Sequence, residues 1–348
     1  MKEINGLEKV SHNNRGKIKV VMVLLLLLPI LFFVSINAGY TDIPLLKILH
    51  IITGSGTAKE NIIIFGFRLP RIMIAMLAGA GFSLSGCVLQ GITRNSLADP
   101  GLMGINAGAG FVVLLFMALS GTLTIGKFVS LPIFSLLGAL LTGGLIYFLS
   151  SHKTNGIAPF QLVLNGVAIQ AGIQALMTLL ILKLDDSQAE FLAAWQGGSI
   201  WNSTWNSVIA LLPWLIIGFI LLMCNSRTMD VLSMGDEIAK GLGAKVGREK
   251  RKLLFLAVAL AASCVSISGN MNFIGLIGPH LSRILVGSKH KILLPVSGLV
   301  GAVLVLGADI IARTVMEPME IPTGIVVSVI GAPYFIFLLL RNRKTVRK

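Results

Sequence analysis

Long apolar stretches alternate with short polar segments along almost the whole chain. Most of the stretches approach the roughly 20 residues that an α-helix needs to cross the hydrocarbon core of a bilayer. Ten are present, at residues 20–39, 71–90, 101–119, 129–150, 157–182, 207–224, 253–270, 273–286, 292–314 and 322–340. The pattern predicts an all-α integral membrane protein with about ten transmembrane helices. The stretch 273–286 is too short for a straight crossing, and we expect neighbouring helices to bury it.

The distribution of basic residues predicts the orientation of these helices. If the amino terminus is cytoplasmic, 22 of the 29 Lys and Arg residues fall in segments on the inner side of the membrane. Cytoplasmic loops of membrane proteins carry such an excess. Ten spans with both termini cytoplasmic satisfy the rule, whereas an odd number of spans breaks it. We expect one transmembrane domain over 1–348, with cytoplasmic tails at 1–19 and 341–348 and a large cytoplasmic loop at 225–252.

Composition agrees with a membrane protein and excludes several other classes. The chain is 55% hydrophobic and 13% charged, whereas soluble domains are about 25% charged. A net charge of +14 could indicate nucleic-acid binding, but the basic residues lie in short segments between apolar stretches. Cys87, Cys224 and Cys264 lack metal-ligand spacing, so we expect packed thiols, no metal site and no cofactor.

The energy source has to be sought outside this chain. The segment Gly121–Phe128 resembles a phosphate-binding loop, but Phe128 stands where that motif has the magnesium-binding hydroxyl. An ion-coupled carrier usually places acidic residues or histidine at mid-membrane depth, and such residues are scarce here. Asp309 and Arg313 form an i,i+4 helix-surface pair in this interpretation, and His280 makes a structural contact. An intramembrane enzyme lacks the polar constellation it would need.

The cytoplasmic loop 225–252 has the pattern of short helices. Gly235 can end one helix, and Asp236 and Glu237 suit the positive start of the next. Ile238, Ala239 and Leu242 then form a small apolar face opposite Lys240 and Lys245. Such a helix fits docking of a cytoplasmic partner or contact with lipid headgroups, and spacing alone leaves both open.

Two further patterns concern the packing and the outer surface. Ala75, Gly79, Ser83 and Cys87 form a stripe of small residues, which predicts close helix packing. Arg68-Leu-Pro-Arg71 begins the second span, where we expect both arginines to be exposed to solvent or headgroups. Interfacial anchoring explains them more simply than contact with an extracellular partner.

Several motifs together resemble the iron-chelate and cobalamin permease family of ABC importers. The resemblance spans nearly the whole chain in the family's order, and the combination is specific although each motif is weak alone. Ser96 and Tyr334 depart mildly from the family pattern. The motifs are Arg68–Arg71, Ser85-Gly86 with Gln90, Arg94–Pro100, Trp195–Ser199, Gly235–Gly243, Phe273–His280 with Arg283, Ala308-Asp309 through Arg313, Ile321–Gly324 and Gly331–Tyr334.

The resemblance implies a type II ABC importer permease in the bacterial cytoplasmic membrane. It implies a non-enzymatic subunit that pairs with a second permease copy or homologue and carries a ferric siderophore, or alternatively cobalamin or haem. Arg68, Arg71 and Arg313 would contact an extracellular or periplasmic substrate-binding protein. Two cytoplasmic ATP-binding subunits would dock on an ATPase-coupling loop that comprises Met234, Gly235, Asp236, Glu237, Ala239, Gly241, Leu242 and Gly243.

Overall fold

A computed structural model describes residues 2–38, 47–48, 51, 56–101, 103–120, 125–152, 156–157, 159–201, 203–317 and 319–346. Part of the loop that resembles a phosphate-binding motif, residues 121–124, lies outside these ranges. The helices are α1 (Lys2–Asn37), α2 (Ala58–Asn61), a π-helical segment (Ile62–Arg68), α3 (Leu69–Thr93), α4 (Ile105–Ser120), α5 (Ile125–Ser150), α6 (Pro159–Ile181), α7 (Asp186–Gln196), α8 (Trp205–Cys224), α9 (Ser226–Ser233), α10 (Asp236–Gly241), α11 (Val246–Ser268), α12 (Ile274–Val286), α13 (His290–Thr314) and α14 (Thr323–Val346). Two-residue strands β1 (Ser151–His152) and β2 (Gly156–Ile157) pair antiparallel before α6.

The predicted transmembrane stretches correspond to helices. Within the described residues, eight helices are long and apolar enough to cross a bilayer, and the two shorter apolar helices 105–119 and 274–286 account for the remaining stretches. Large apolar side chains on the outside of the bundle remain exposed, such as Leu141 at 70% and Phe148 at 75%. Hydrocarbon, rather than water, is the solvent that such a surface requires. The all-α membrane fold is therefore confirmed.

Helix α3 forms the centre of the bundle, where it packs against α11, α12 and α13. The predicted small-residue stripe is buried in these contacts. A Cβ added to Gly79 would lie less than 3.0 Å from the backbone of Gly301 on α13, and one added to Gly86 would collide with the backbone of Gly275 on α12. Glycine thus allows the backbones to approach closely, as expected for helix packing in lipid.

Several helices extend beyond the predicted stretches. The predicted tails 1–19 and 341–348 are largely helical, because α1 reaches Lys2 and α14 reaches Val346. The segment 58–68 is also helical and continues into α3. Helix α7 was not predicted, since its apolar content is low. Asp185 caps it by accepting a hydrogen bond from the backbone N–H of Gln188, and this bond lowers the pKa of the Asp185 carboxyl.

Contacts between helix ends agree with the alternating topology. Segments predicted to be cytoplasmic contact one another, as Arg94 does with Asp236 at 3.0 Å. Segments predicted to be external do the same, as Trp205 donates from its indole to the carbonyl of Phe65 at 2.7 Å.

Helix α4 is short because the segment before it turns back into the bundle. Asp99 and Pro100 lie against Gly275, which itself lies beside Gly86 and Phe82 of α3. Along α3, Gly86 lies about 10 Å and Phe82 about 16 Å from the inner end of the helix, at 1.5 Å of rise per residue. The described residues between α3 and α4, 94–101 and 103–104, form turns and irregular backbone without regular helix. Irregular backbone at membrane depth is stable where protein buries it or where it lines a water-filled cavity.

Candidate functional site

The predicted coupling loop folds as two short helices, α9 and α10, that precede α11. Gly235 and Gly243 flank α10 with φ angles of 124° and 82°. Both angles lie in the region that glycine adopts without steric strain. The two glycines therefore set where α10 begins and where the chain turns toward α11.

The loop exposes an apolar stripe on its cytoplasmic surface. Met234, Ile238 and Leu242 are 60%, 54% and 64% exposed; Ile238 and Leu242 are one turn apart on α10 and its C-cap, and Met234 precedes α10 across Gly235. Ala239 is fully buried. The predicted apolar face is thus partly revised: Ile238 and Leu242 point outward, Met234 joins them, and Ala239 packs against the protein.

Asp236 fixes this loop to the membrane domain. Its carboxylate accepts from Arg94 at 3.0 Å and from Lys250 at 2.6 Å. Arg94 ends α3 in the left-handed conformation, with a φ of 53°, and Lys250 on α11 is 1% exposed. The start of α10 is therefore held to the ends of two central helices.

Gly241 and Glu237 complete the exposed surface of α10. A Cβ added to Gly241 would have no heavy atom within 4 Å, and its φ is not in the left-handed region. Nothing within the described part of this chain therefore requires glycine at this position. A requirement for a small residue there would have to come from a partner.

The structure contradicts the expected exposure of the outer arginines. Arg68 and Arg71 are each 7% exposed, and Arg313 is 4% exposed. Arg68 donates to the backbone carbonyl of Ile36 at the end of α1. Arg71 donates to Asp309 at 3.0 Å and to Glu320 at 2.7 Å. The helical segment 58–68 precedes α3 without a break. Arg68 and Arg71 therefore lie within a longer helix and not at the helix end that the sequence predicted.

Asp309 is the centre of this outer network. Its carboxylate is fully buried and accepts from Arg71 and from the hydroxyl of Thr323 at 3.1 Å. It also forms an ion pair with Arg313 at 3.1 Å, without hydrogen-bond alignment. Arg313 donates in addition to carbonyl oxygens at Ser35 and Ala38 of α1. The i,i+4 pair within α13 is confirmed, but it is buried inside the bundle and is not a surface pair.

Other polar side chains in the bundle contact each other. His280 lies 2.6 Å from the hydroxyl of Tyr334, which confirms its predicted structural contact. Arg283 donates to Gln90 at 3.0 Å. Among the described residues, no group of three or more His, Cys, Asp and Glu side chains could hold a metal ion.

Two cavities lie at the side of the bundle, and residues of α14 line both of them. The first, about 510 Å³, lies between the α3–α4 segment and α6, and is lined by Asn95, Leu97, Ala98, Asp99, Met103, Val163, Val167, Gln170, Ala171, Gln174 and Phe335. The second, about 400 Å³, lies toward the outer side and is lined by Gln196, Gly197, Asn270, Asn272, Gly324, Ile325, Ser328, Val329 and Ala332.

Gly101 lies between a lining residue of the first cavity, Asp99, and one of the second, Asn272. A Cβ there would lie 2.5 Å from Asn272 Oδ1, 2.9 Å from Asp99 Oδ1 and 3.0 Å from Asn106 Nδ2. The Asn106 amide donates in turn to Asn270. Sequence reasoning missed this polar cluster, because Asn270 and Asn272 are more than 160 residues from Asn106 and share no motif with it.

These features define a polytopic helical membrane protein of the transport class, with cavities along its membrane-spanning helices and a cytoplasmic loop that exposes an apolar stripe. The chain belongs to the FecCD transport family, whose sequence profile matches residues 26–341.

Proteins similar to this chain cover nearly its full length. It is 44% identical over 327 residues to the iron(3+)-hydroxamate import system permease protein FhuG of Bacillus subtilis strain 168, covering 92% of this chain and 96% of that protein. It is 35% identical over 322 residues to the hemin transport system permease protein HmuU of Yersinia pestis, covering 92% and 95%.

A solved structure, described as a transporter of the metal-chelate ABC type in an inward-facing conformation, shares the fold. The TM-score is 0.80 at 32% sequence identity, and the match covers 93% of this chain and 99% of that one.

Proposed function

We propose that this chain is the permease subunit of an ATP-driven importer that moves ferric siderophores across the bacterial cytoplasmic membrane. The observation that carries the proposal is the full-length similarity to an iron-hydroxamate import permease. Similarity to ferric-citrate and hemin permeases is weaker, and these cargoes are accordingly the alternatives. The chain is a multi-pass protein of the cytoplasmic membrane.

ATP hydrolysis takes place on separate subunits in this proposal, and two of them dock on the coupling loop. The exposed stripe of Met234, Ile238 and Leu242 supports this role. An apolar stripe on a short, anchored helix suits insertion into a groove of a partner protein. The attachment of Asp236 to Arg94 and Lys250 would transmit movement of a docked subunit to α3 and α11.

A second permease, identical or related, would face this chain across the substrate pathway. A substrate-binding protein would deliver the chelate from outside. Docking of that protein at Arg68, Arg71 and Arg313 stays a prediction, and their burial means that it would have to break or reach around the Asp309 network.

Uptake measurements test the function directly. Cells that lack this chain are given ⁵⁵Fe-labelled tris-hydroxamate, tris-catecholate or citrate chelates, or labelled haem. We expect uptake of one ferric siderophore to be lost and to return when the wild-type chain is expressed. Normal uptake of all four compounds, in a strain from which related permeases have also been removed, would contradict iron-chelate import.

A further inference from the structure

Helix α6 carries polar amides on the face that borders the first cavity, and most of the rest of the helix is left uncovered by the chain. In its most apolar 18-residue window, 11% of the residues are buried, the smallest share among the spanning helices. Gln170 lies 11 residues from the start of this 23-residue helix, about 17 Å along it and close to the middle of a bilayer. Gln174 follows one turn later.

Lipid is a poor environment for this face. An amide without hydrogen-bond partners in hydrocarbon costs about 4–8 kcal/mol relative to water. Gln170 and Gln174 instead line the first cavity together with Asn95, and the α3–α4 segment forms the opposite wall. Irregular backbone on one wall and amides on the other both indicate a water-filled cavity.

The charge of the cavity linings restricts what can pass. Among the residues that line the two cavities, Asp99 is the one ionisable side chain, and neither lining contains Lys or Arg. Amides supply both donors and acceptors without net charge. Such a surface suits a neutral polar solute, and the Asp99 carboxylate disfavours a polyanion.

We propose that the amide face of α6 is this chain's contact surface for a neutral ferric tris-hydroxamate, with Gln170 and Gln174 as the contacting side chains. This rests on the proposed import of iron chelates and narrows it to one chemical class. Three hydroxamates neutralise Fe³⁺, whereas three catecholates leave a charge of −3. Hydroxamate and amide groups of the ligand would exchange hydrogen bonds with the two glutamines.

The opposite face of α6 provides matched controls. Leu176 is 51% exposed and Leu179 is 65% exposed, and neither lines a cavity. At about 100° per residue they project roughly 140–200° away from Gln174. Leu176 lies about 3 Å of helix rise beyond Gln174 and is the depth-matched control, whereas Leu179 lies about 14 Å beyond Gln170, near the end of α6, and reports the same face closer to the membrane surface.

Cysteine accessibility in the assembled transporter tests the surface. In a Cys224→Ser background, which removes the exposed native thiol, Gln170→Cys and Gln174→Cys should react about tenfold faster with a charged methanethiosulfonate than Leu176→Cys and Leu179→Cys, because thiolate forms in water. A neutral ferric tris-hydroxamate should slow labelling of the first pair. Equal rates at the four positions would overturn the assignment of the face.

The same labelling experiment tests whether this surface prefers a neutral chelate. If a ferric tris-catecholate slows labelling of Gln170→Cys and Gln174→Cys as much as the tris-hydroxamate does, the proposed preference for a neutral chelate is wrong. A failure of the proposed contact surface can be distinguished from a failure of the proposed iron import, since the comparison of uptake by wild-type and deletion cells does not involve these cysteine variants. If uptake is lost on deletion while the glutamine positions do not label, the pathway assignment falls and the importer remains.

Discussion

Arg71 on α3 donates a hydrogen bond of 3.0 Å to Asp309 on α13, and both side chains are buried among the helices. Asp309 also pairs with Arg313, so that one buried carboxylate serves two guanidinium groups. Removing one member of a buried ion pair leaves an uncompensated charge. The network therefore fixes the outer ends of α3 and α13 to each other.

We expect Asp309→Asn to destabilise the protein by about 3–5 kcal/mol, because buried Arg313 loses its carboxylate partner and buried Arg71 is left with Glu320. Glu320→Gln is the comparison: the Glu320 side chain is 36% exposed and Arg71 keeps its pair with Asp309, so we expect a smaller loss. Thermal unfolding in detergent measures both. Equal unfolding midpoints for Asp309→Asn and wild type would show that the network does not stabilise the fold.

Arg71→Glu separates a structural role from docking of a binding protein. The new carboxylate would face Asp309 and Glu320, and like charges at this distance repel. We expect less folded protein in the membrane. Lys59→Glu, an exposed reversal on the same side, should leave the amount unchanged. Normal amounts of Arg71→Glu with lost affinity for a purified binding protein would instead support docking.

Close backbone contact between α3 and α13 predicts a position-specific effect of alanine. In Gly301→Ala the new methyl group would collide with the backbone of Gly79, whereas in Gly298→Ala the nearest atoms are 3.8 Å away. We expect a cost of about 1–3 kcal/mol for Gly301→Ala and little change for Gly298→Ala. Size-exclusion profiles after graded heating compare them, and similar profiles would contradict the close packing.

Much of this fold could be predicted because hydrocarbon imposes a simple rule on sequence. A crossing helix needs about 20 apolar residues, so each span is visible in a short window. The small-residue stripe containing Gly79 and Ser83 was predictable for the same local reason. Helix α7 escaped prediction because its 11 residues are too few to cross a bilayer, and the polar residues at its start interrupt any long apolar stretch.

The outer arginines show where sequence reasoning fails. Arg68 and Arg71 stand at the edge of an apolar stretch, which predicts exposure. The partners of buried Arg71 are Asp309 and Glu320, which lie more than 230 residues away. Buried Arg68 donates to the carbonyl of Ile36 on another helix. Long-range partners of charged residues are not encoded in local spacing. The bounds of α10 were predictable from the flanking Gly235 and Gly243, but its attachment through Arg94 and Lys250 was not.

We expect Asp236 to affect chelate uptake through its ion pairs with Arg94 and Lys250. In Asp236→Asn the buried ammonium of Lys250 loses its anionic acceptor, with an expected cost of about 1–3 kcal/mol, and α10 loses its tie to Arg94. We expect ATP hydrolysis by the assembled transporter to continue while chelate uptake falls. Glu249→Gln on α11, outside the proposed ATPase contact, controls for loss of a carboxylate. Parallel loss of hydrolysis and uptake in Asp236→Asn would indicate failed docking instead.

Gly241 gives the sharpest test of ATPase docking, because a side chain there meets open space in this chain. We expect Gly241→Asp to insert and unfold like wild type, yet to lose most chelate uptake and most co-purifying ATPase, since the new carboxylate would stand in the partner's contact. Gly16→Asp makes the same change at an exposed, equally unobstructed position on the predicted cytoplasmic side, and should retain both. If Gly241→Asp supports wild-type uptake with the ATPase bound, α10 is not the contact, and the exposed stripe would then suit lipid headgroups.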